Sequence, residues 1–115
     1  MGRIYRPIIV ASNGREKLTV AFIDSGADET VISKRIANEL KLELYGAYRS
    51  YSATDHMIEG NFAEVVLKDD SIAITMEVGV SDIPFKSDYS DEEGVEVILG
   101  VDFLQEAGIK LDFSK

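Results

Sequence analysis

Two runs rich in β-branched residues, Tyr5 to Ala11 (YRPIIVA) and Leu18 to Ile23 (LTVAFI), are separated by Ser12-Asn13-Gly14. Asn-Gly between apolar runs is a tight-turn signal, because both residues tolerate positive φ. The pattern predicts a β-hairpin over residues 5–23. Its second strand runs without a break into Asp24-Ser25-Gly26-Ala27, and Val31-Ile32 follow shortly after. A carboxylate is costly to desolvate unless it is paired, hydrogen-bonded or protonated. An apolar strand that ends on Asp24 therefore demands a particular environment for it. A solvated turn would accommodate the aspartate but not the apolar residues on both sides.

The rest of the chain continues in short β-rich runs broken by turn residues. Ser33 is placed to cap a short helix over about residues 34–41, with Ile36, Leu40 and Leu42 facing inward. Residues 48–67 read as a long hairpin turning near Ala53 to His56. Ser71 to Val80 alternates as a further strand, and residues 81–94 form an acidic loop. Val95 to Leu99 is a compact apolar strand ended by Gly100. Phe103 to Ala107 reads as a short helix stopped by Gly108, and Ile109 to Phe113 as a last strand. The expected class is all-β, mostly strand with one or two short helices. A chain of 115 residues supports one core and not two, so one domain over 1–115 is expected. No run approaches the roughly 20 apolar residues of a membrane span. The N-terminus lacks a signal-peptide layout, so a cytoplasmic location is expected.

The inventory of reactive groups is narrow. With 45% hydrophobic and 29% charged residues the composition is that of an ordinary globular protein. A formal charge of −9 argues against nucleic acid as the main partner. No cysteine is present, which removes disulfides, thiol nucleophiles and cysteine metal sites together. His56 is the single histidine, so no multi-histidine zinc site can form, and neither metal nor cofactor is expected. A Ser-His-Asp triad using Ser25 or Ser52 is formally available, but no G-x-S-x-G elbow accompanies it. No P-loop or G-x-G-x-x-G is present. The acidic loop, with Asp82, Asp88, Asp91, Glu92 and Glu93, lacks the ligand spacing of a calcium loop and reads as a solvated segment. Carboxylates are what remains.

The triplet Asp24-Ser25-Gly26 would carry little weight alone. It is followed by Ala27 and, much later, by Val97-Ile98-Leu99-Gly100 with a short amphipathic helix and a final strand. This pairing resembles the retropepsin-like aspartic proteases, and the order of elements is similar over nearly the whole chain. The resemblance implies an acid-protease β-barrel with one lobe per chain, and two catalytic aspartates that share a proton and hold a water. It implies a catalytic role for Asp24, with Ser25 bonding across an interface and Gly26 letting the two backbones approach. Leu99 and Gly100 would support that loop from beneath. Ala27, Asp28 and Glu29 would bind substrate beside it, as would a flap at Ala53, Thr54, Asp55 and His56. Phe22, Ile23, Val31, Ile32, Ile58, Ile83 and Phe85 lie in or beside the segments that would line an apolar cleft, although for any single one of them an ordinary core position is the better reading.

Only one such motif occurs in the chain, and Asp28 stands in the wrong context to be the second acid. The resemblance therefore implies a homodimer acting on an extended peptide or protein substrate, with no nucleic acid and no membrane span involved. Arg6, before Pro7, matches an arginine that in retroviral members pairs across the dimer near Asp28; the other reading is an exposed strand charge. Two departures stand out. Val101 occupies the position where retroviral members carry arginine, and the flap region has no glycine before Gly60. They leave a second reading open, a retropepsin fold kept as a peptide-binding or dimerisation module with little turnover. A third reading is a β-barrel in which Asp-Ser-Gly is only a turn.

Overall fold

A computed structural model of the chain describes residues 4–24, 26–51, 57–82 and 95–108. Strands β1 (Ile4–Ser12) and β2 (Arg15–Ile23) form the expected hairpin, in register from Ile4 opposite Ile23 to Ser12 opposite Arg15. Asn13 and Gly14 close it with φ of 53° and 78°, both in the left-handed region that a mirror-image two-residue turn requires. Alternation then sorts the side chains. Ile8, Val10, Ala21 and Ile23 face the core, while Tyr5, Leu18 and Val20 face outward.

After β3 (Val31–Ser33) comes α1 (Lys34–Glu39), then β4 (Tyr45–Tyr51), β5 (Met57–Lys68) and β6 (Ala73–Ser81). The last described elements are β7 (Val97–Leu99) and α2 (Val101–Glu106). The strands follow the order β1-β2-β7-β3-β6-β5-β4, and β5 pairs back onto β1, closing a barrel of six strands with β4 attached outside the ring. β5 makes this possible by its length. Its first half pairs with β4, and residues 66–68 pair with β1. Ile32, Leu67, Val80 and Leu99 fill the interior, and Phe103 plugs it from α2. Among the described residues no helix is long and apolar enough to cross a membrane.

Most element boundaries shift by one or two residues from the expected ones, for local reasons. Helix α1 stops at Glu39 because Lys41 enters the left-handed region (φ 54°) and the Leu42 N–H returns to the Ala37 carbonyl at 3.0 Å. Its start is as expected: the Ser33 hydroxyl accepts from the Ile36 N–H at 3.1 Å and donates to Glu96 at 2.9 Å. Strand β6 begins at Ala73 rather than Ser71, because Asp69 turns the chain by accepting from the Ser71 and Ile72 N–H groups at 3.0 and 3.2 Å. Strand β7 is shorter than expected, since Val95 leaves the ladder to pack with Phe22 and Ile98. Helix α2 begins at Val101, earlier than the expected Phe103. The expected last strand and all but Ser81 and Asp82 of the acidic loop lie outside the described residues.

Arg6 has a partner that neither reading foresaw: its guanidinium meets Asp69 at 2.8 Å, joining β1 to the β5–β6 turn. The Ser71 N–H, with the Ile72 N–H and Arg6, outweighs burial and holds the Asp69 carboxyl below its usual range. A carboxyl depressed in the folded state adds stability above the unfolded value of about 3.9, and that stability is lost as pH falls through the folded value. Urea midpoints followed from pH 7 down to about pH 3 should therefore fall less steeply for Asp69→Asn than for the wild type. Parallel curves would show that Asp69 contributes nothing to acid sensitivity.

Candidate active site

Strand β7 lies between β2 and β3, parallel to the first and antiparallel to the second. The segment joining β2 to β3 must therefore cross the C-terminal end of β7. That crossing segment is residues 24–30. It is stitched to the β7–α2 junction by backbone bonds: Asp24 N–H to the Leu99 carbonyl (3.0 Å), Val101 N–H to the Ala27 carbonyl (2.8 Å), and Asp102 N–H to the Asp28 carbonyl (3.3 Å). Gly100 sits at the tightest point. A Cβ there would lie 2.6 Å from the Glu29 carbonyl and 2.8 Å from the Ala27 oxygen, so only glycine fits.

Asp24 is half-buried where β2 ends. The Gly26 N–H donates to its Oδ1 at 2.9 Å, and the Ala27 N–H donates to its carbonyl at 3.0 Å. Two backbone features thus aim the carboxylate, one on each side of the turn. Phe22, Val95 and Ile98 form a small apolar cluster apart from the barrel interior, with Ala27 packed against it. The Asp24 loop is accordingly walled on one side by low-dielectric surface. Of the residues expected in an apolar cleft, Phe22 belongs to this cluster, while Ile23 and Ile32 belong to the barrel core, on the opposite face of their strands. Val31 is buried beside the loop. Ser25, the flap residues Ala53, Thr54, Asp55 and His56, and the side chains of Ile58, Ile83 and Phe85 lie outside the described residues. On either side of the segment expected to form the flap, β4 and β5 pair as far as Tyr51 opposite Met57.

Asp28 and Glu29 extend from the same loop and are exposed. The Glu29 carboxyl is raised above its usual range, first by partial burial and then by the negative charges of Asp102, Asp28 and Glu77. Two further residues have no counterpart among the sequence candidates. Thr30 is fully buried, and every polar group it has is matched. Its N–H donates to Asp102 Oδ2 (3.2 Å) and its hydroxyl to Asp102 Oδ1 (2.7 Å). The same hydroxyl accepts from the Gly100 N–H (3.1 Å), and its carbonyl accepts from the Gly79 N–H (2.9 Å). The sequence offers only a faint sign of this pair: a polar residue just before the apolar Val31-Ile32, and an aspartate two places after Gly100.

Residues 9–106 match the family model described as "gag-polyprotein putative aspartyl protease". Among solved structures, EIAV protease complexed with the inhibitor HBY-793 aligns with a TM-score of 0.70 at 23% identity, covering 97% of this chain and 94% of that one. The retroviral protease-like domain of Ddi1 from Leishmania major aligns with a TM-score of 0.58 at 19% identity, over 98% of this chain and 82% of its own. A foamy viral protease–reverse transcriptase in complex with double-stranded DNA aligns at 0.56 and 18% identity, over 95% of this chain and 16% of that one. At these identities the likeness is one of fold. No curated protein sequence is matched.

Two outcomes follow from the geometry. Gly100→Ala should destabilise the chain by about 3 kcal/mol or more, since backbone on both sides must move to admit the methyl group; a melting temperature within about 2 °C of wild type would contradict the packing described. Glu29→Gln should stabilise the fold at neutral pH, because a carboxyl raised in the folded state is penalised when ionised. That gain should vanish as pH falls through the raised value to the unfolded one near 4.3. Denaturant midpoints at pH 7 and pH 3 would test it, and an equal gain at both would show a cause other than charge.

Proposed function

The chain belongs to the retropepsin-like aspartyl protease family of gag-polyprotein type, and from that premise we propose that it is a homodimeric aspartic endopeptidase. The observation that carries this reading is the aim of Asp24: a carboxylate at the end of β2, braced by the Gly26 N–H and by Leu99, beside the apolar cluster of Phe22 and Ile98. One chain supplies one such carboxylate. Asp28 lies in the wrong motif context to be the second acid, and its side chain is exposed. The second acid is Asp24 of a symmetry-related partner, brought close about a two-fold axis.

Two carboxylates in contact do not both ionise readily, so the pair holds one proton. The ionised Asp24 takes a proton from a water held between the two, and the water oxygen attacks the peptide carbonyl carbon. The protonated Asp24 gives its proton to the carbonyl oxygen, forming a neutral tetrahedral diol. Collapse breaks the C–N bond as a proton passes to the amide nitrogen. Gly26 and Ser25 frame the loop at the interface, Ala27 with Asp28 and Glu29 flanks an extended peptide, and residues 53–56 cover it. The apolar wall raises the strength of each electrostatic contact by keeping water out.

The test is cleavage of a peptide library at pH 4 to 8 by wild type and Asp24→Asn, with the dimeric state of each measured by ultracentrifugation. Cuts made by the wild type and lost in the variant are expected, with rates that peak below neutral pH and fall as the second carboxylate ionises. A rate flat or rising past about pH 8 would be incompatible with a shared proton. A folded wild-type dimer that binds peptides but cuts none would instead favour a peptide-binding module. Val101, in place of the arginine of retroviral members, keeps that outcome in the design of the experiment.

A further inference from the structure

The mechanism above leaves Thr30 and Asp102 without a task, although the buried Thr30 has its N–H, hydroxyl and carbonyl all hydrogen-bonded, two of them to Asp102. Three donors converge on the Asp102 carboxylate: the Thr30 hydroxyl (2.7 Å) and the Phe103 N–H (2.6 Å) on Oδ1, and the Thr30 N–H (3.2 Å) on Oδ2. We propose that Asp102 is a positioning residue, whose carboxylate clamps the far end of the Asp24 loop to the start of α2 and so fixes the direction of Asp24. The kinetic part of this inference rests on the proteolytic reading; the structural part does not.

Helix capping does not account for the arrangement. The N-cap of α2 is Gly100, with no side-chain cap, and only the Phe103 bond is local to the helix. The other two bonds reach 72 residues back, to Thr30. Through the Thr30 hydroxyl they continue to the Gly100 N–H, the point where the loop crosses β7 most closely. Residues 24–30 are thus pinned at both ends, by Leu99 at Asp24 and by Asp102 at Thr30. Between those ends the Val101 and Asp102 N–H groups hold the Ala27 and Asp28 carbonyls, and the Asp102 carboxylate adds the side-chain tie at Thr30.

The residue type also has a reason. An asparagine offers one acceptor oxygen and would turn its NH₂ toward the Thr30 N–H, donor against donor. It would relieve the repulsion that Asp102 exerts on Glu29. Retaining a carboxylate beside Glu29 favours the number of acceptors over electrostatic comfort. Asp102→Asn is therefore not a conservative change at this position, whereas Thr30→Ser is.

The experiment pairs amide hydrogen exchange with steady-state kinetics on the full chain, for Asp102→Asn, Asp102→Ala, Thr30→Ser and Thr30→Val. In Asp102→Ala the Gly26 and Ala27 amides should exchange at least about tenfold faster, while the β5–β6 ladder is unchanged. Turnover should fall about 10- to 100-fold with KM within about threefold, the pattern of a misdirected catalytic group. Asp102→Asn should lie between wild type and alanine, Thr30→Val should follow alanine, and Thr30→Ser should match wild type. Unchanged exchange at Gly26 with unchanged turnover would overturn the proposal, as would exchange rising equally in the β5–β6 ladder. If Asp102→Ala does not fold, Asp102→Asn and Thr30→Val give the same decision. If the wild type cleaves nothing, exchange alone decides the clamp, and the proteolytic reading is the one that fails.

Discussion

The insertion of β7 between β2 and β3 is the constraint on which the rest of the site depends. Strands consecutive in sequence would ordinarily pair with each other through a short turn. Here a third strand, contributed from far along the chain, occupies the space between them. The connecting segment cannot relax onto the surface as a free loop, because its backbone groups are bonded to the strand it crosses. A carboxylate at the start of such a segment inherits the rigidity of the barrel. That is why Asp24 keeps a defined direction although it sits in a non-repetitive stretch. The same crossing explains Gly100, where two backbones approach too closely for any side chain.

The chain is strongly acidic, with 21 Asp and Glu against 12 Lys and Arg, and its carboxylates have separate fates according to the donors each receives. Asp69 collects two backbone N–H groups and Arg6, and ties the β5–β6 turn to β1. Glu96 is lowered first by its bonds to Arg35 and further by Ser33, linking the approach to β7 with the start of α1. Asp102 takes three donors and joins the Asp24 loop to α2. Glu29 is moved in the opposite direction, by burial and by its negative neighbours. Composition alone would describe all four as solvated charge. Partner geometry separates those that build the fold from one that strains it.

The β1–β2 hairpin was legible because its signals are local: alternating β-branched residues on both sides of Asn13-Gly14 suffice. The cap at Ser33 and the inward faces of Ile36 and Leu40 were legible for the same reason. The motif at residues 24–27 and its companion at 97–100 pointed to the family, because residue types and order survive without coordinates. Boundaries were less accessible. Asp69 cuts short the start of β6, and Val95 abandons β7 for Phe22, through contacts that periodicity does not encode. Ile23 and Ile32, which lie in the segments expected beside the cleft, face the barrel core, and only the structure sorts them from Phe22, because period two tells which residues share a face and not which way the face points.

The sequence by itself determined the strand-rich class, the tight first turn, the single carboxylate motif and the absence of thiol chemistry. Each of these follows from residue identity and near-neighbour spacing. Only the tertiary structure decided that β7 would separate β2 from β3, that Arg6 would pair with Asp69, and that Thr30 and Asp102 would meet. These are contacts between groups far apart in the chain, and their energies depend on distance and burial, which no local pattern records. An acidic residue two places after a glycine is an ordinary feature of a sequence. It becomes a clamp on the Asp24 loop only when the barrel brings a buried threonine within hydrogen-bonding distance.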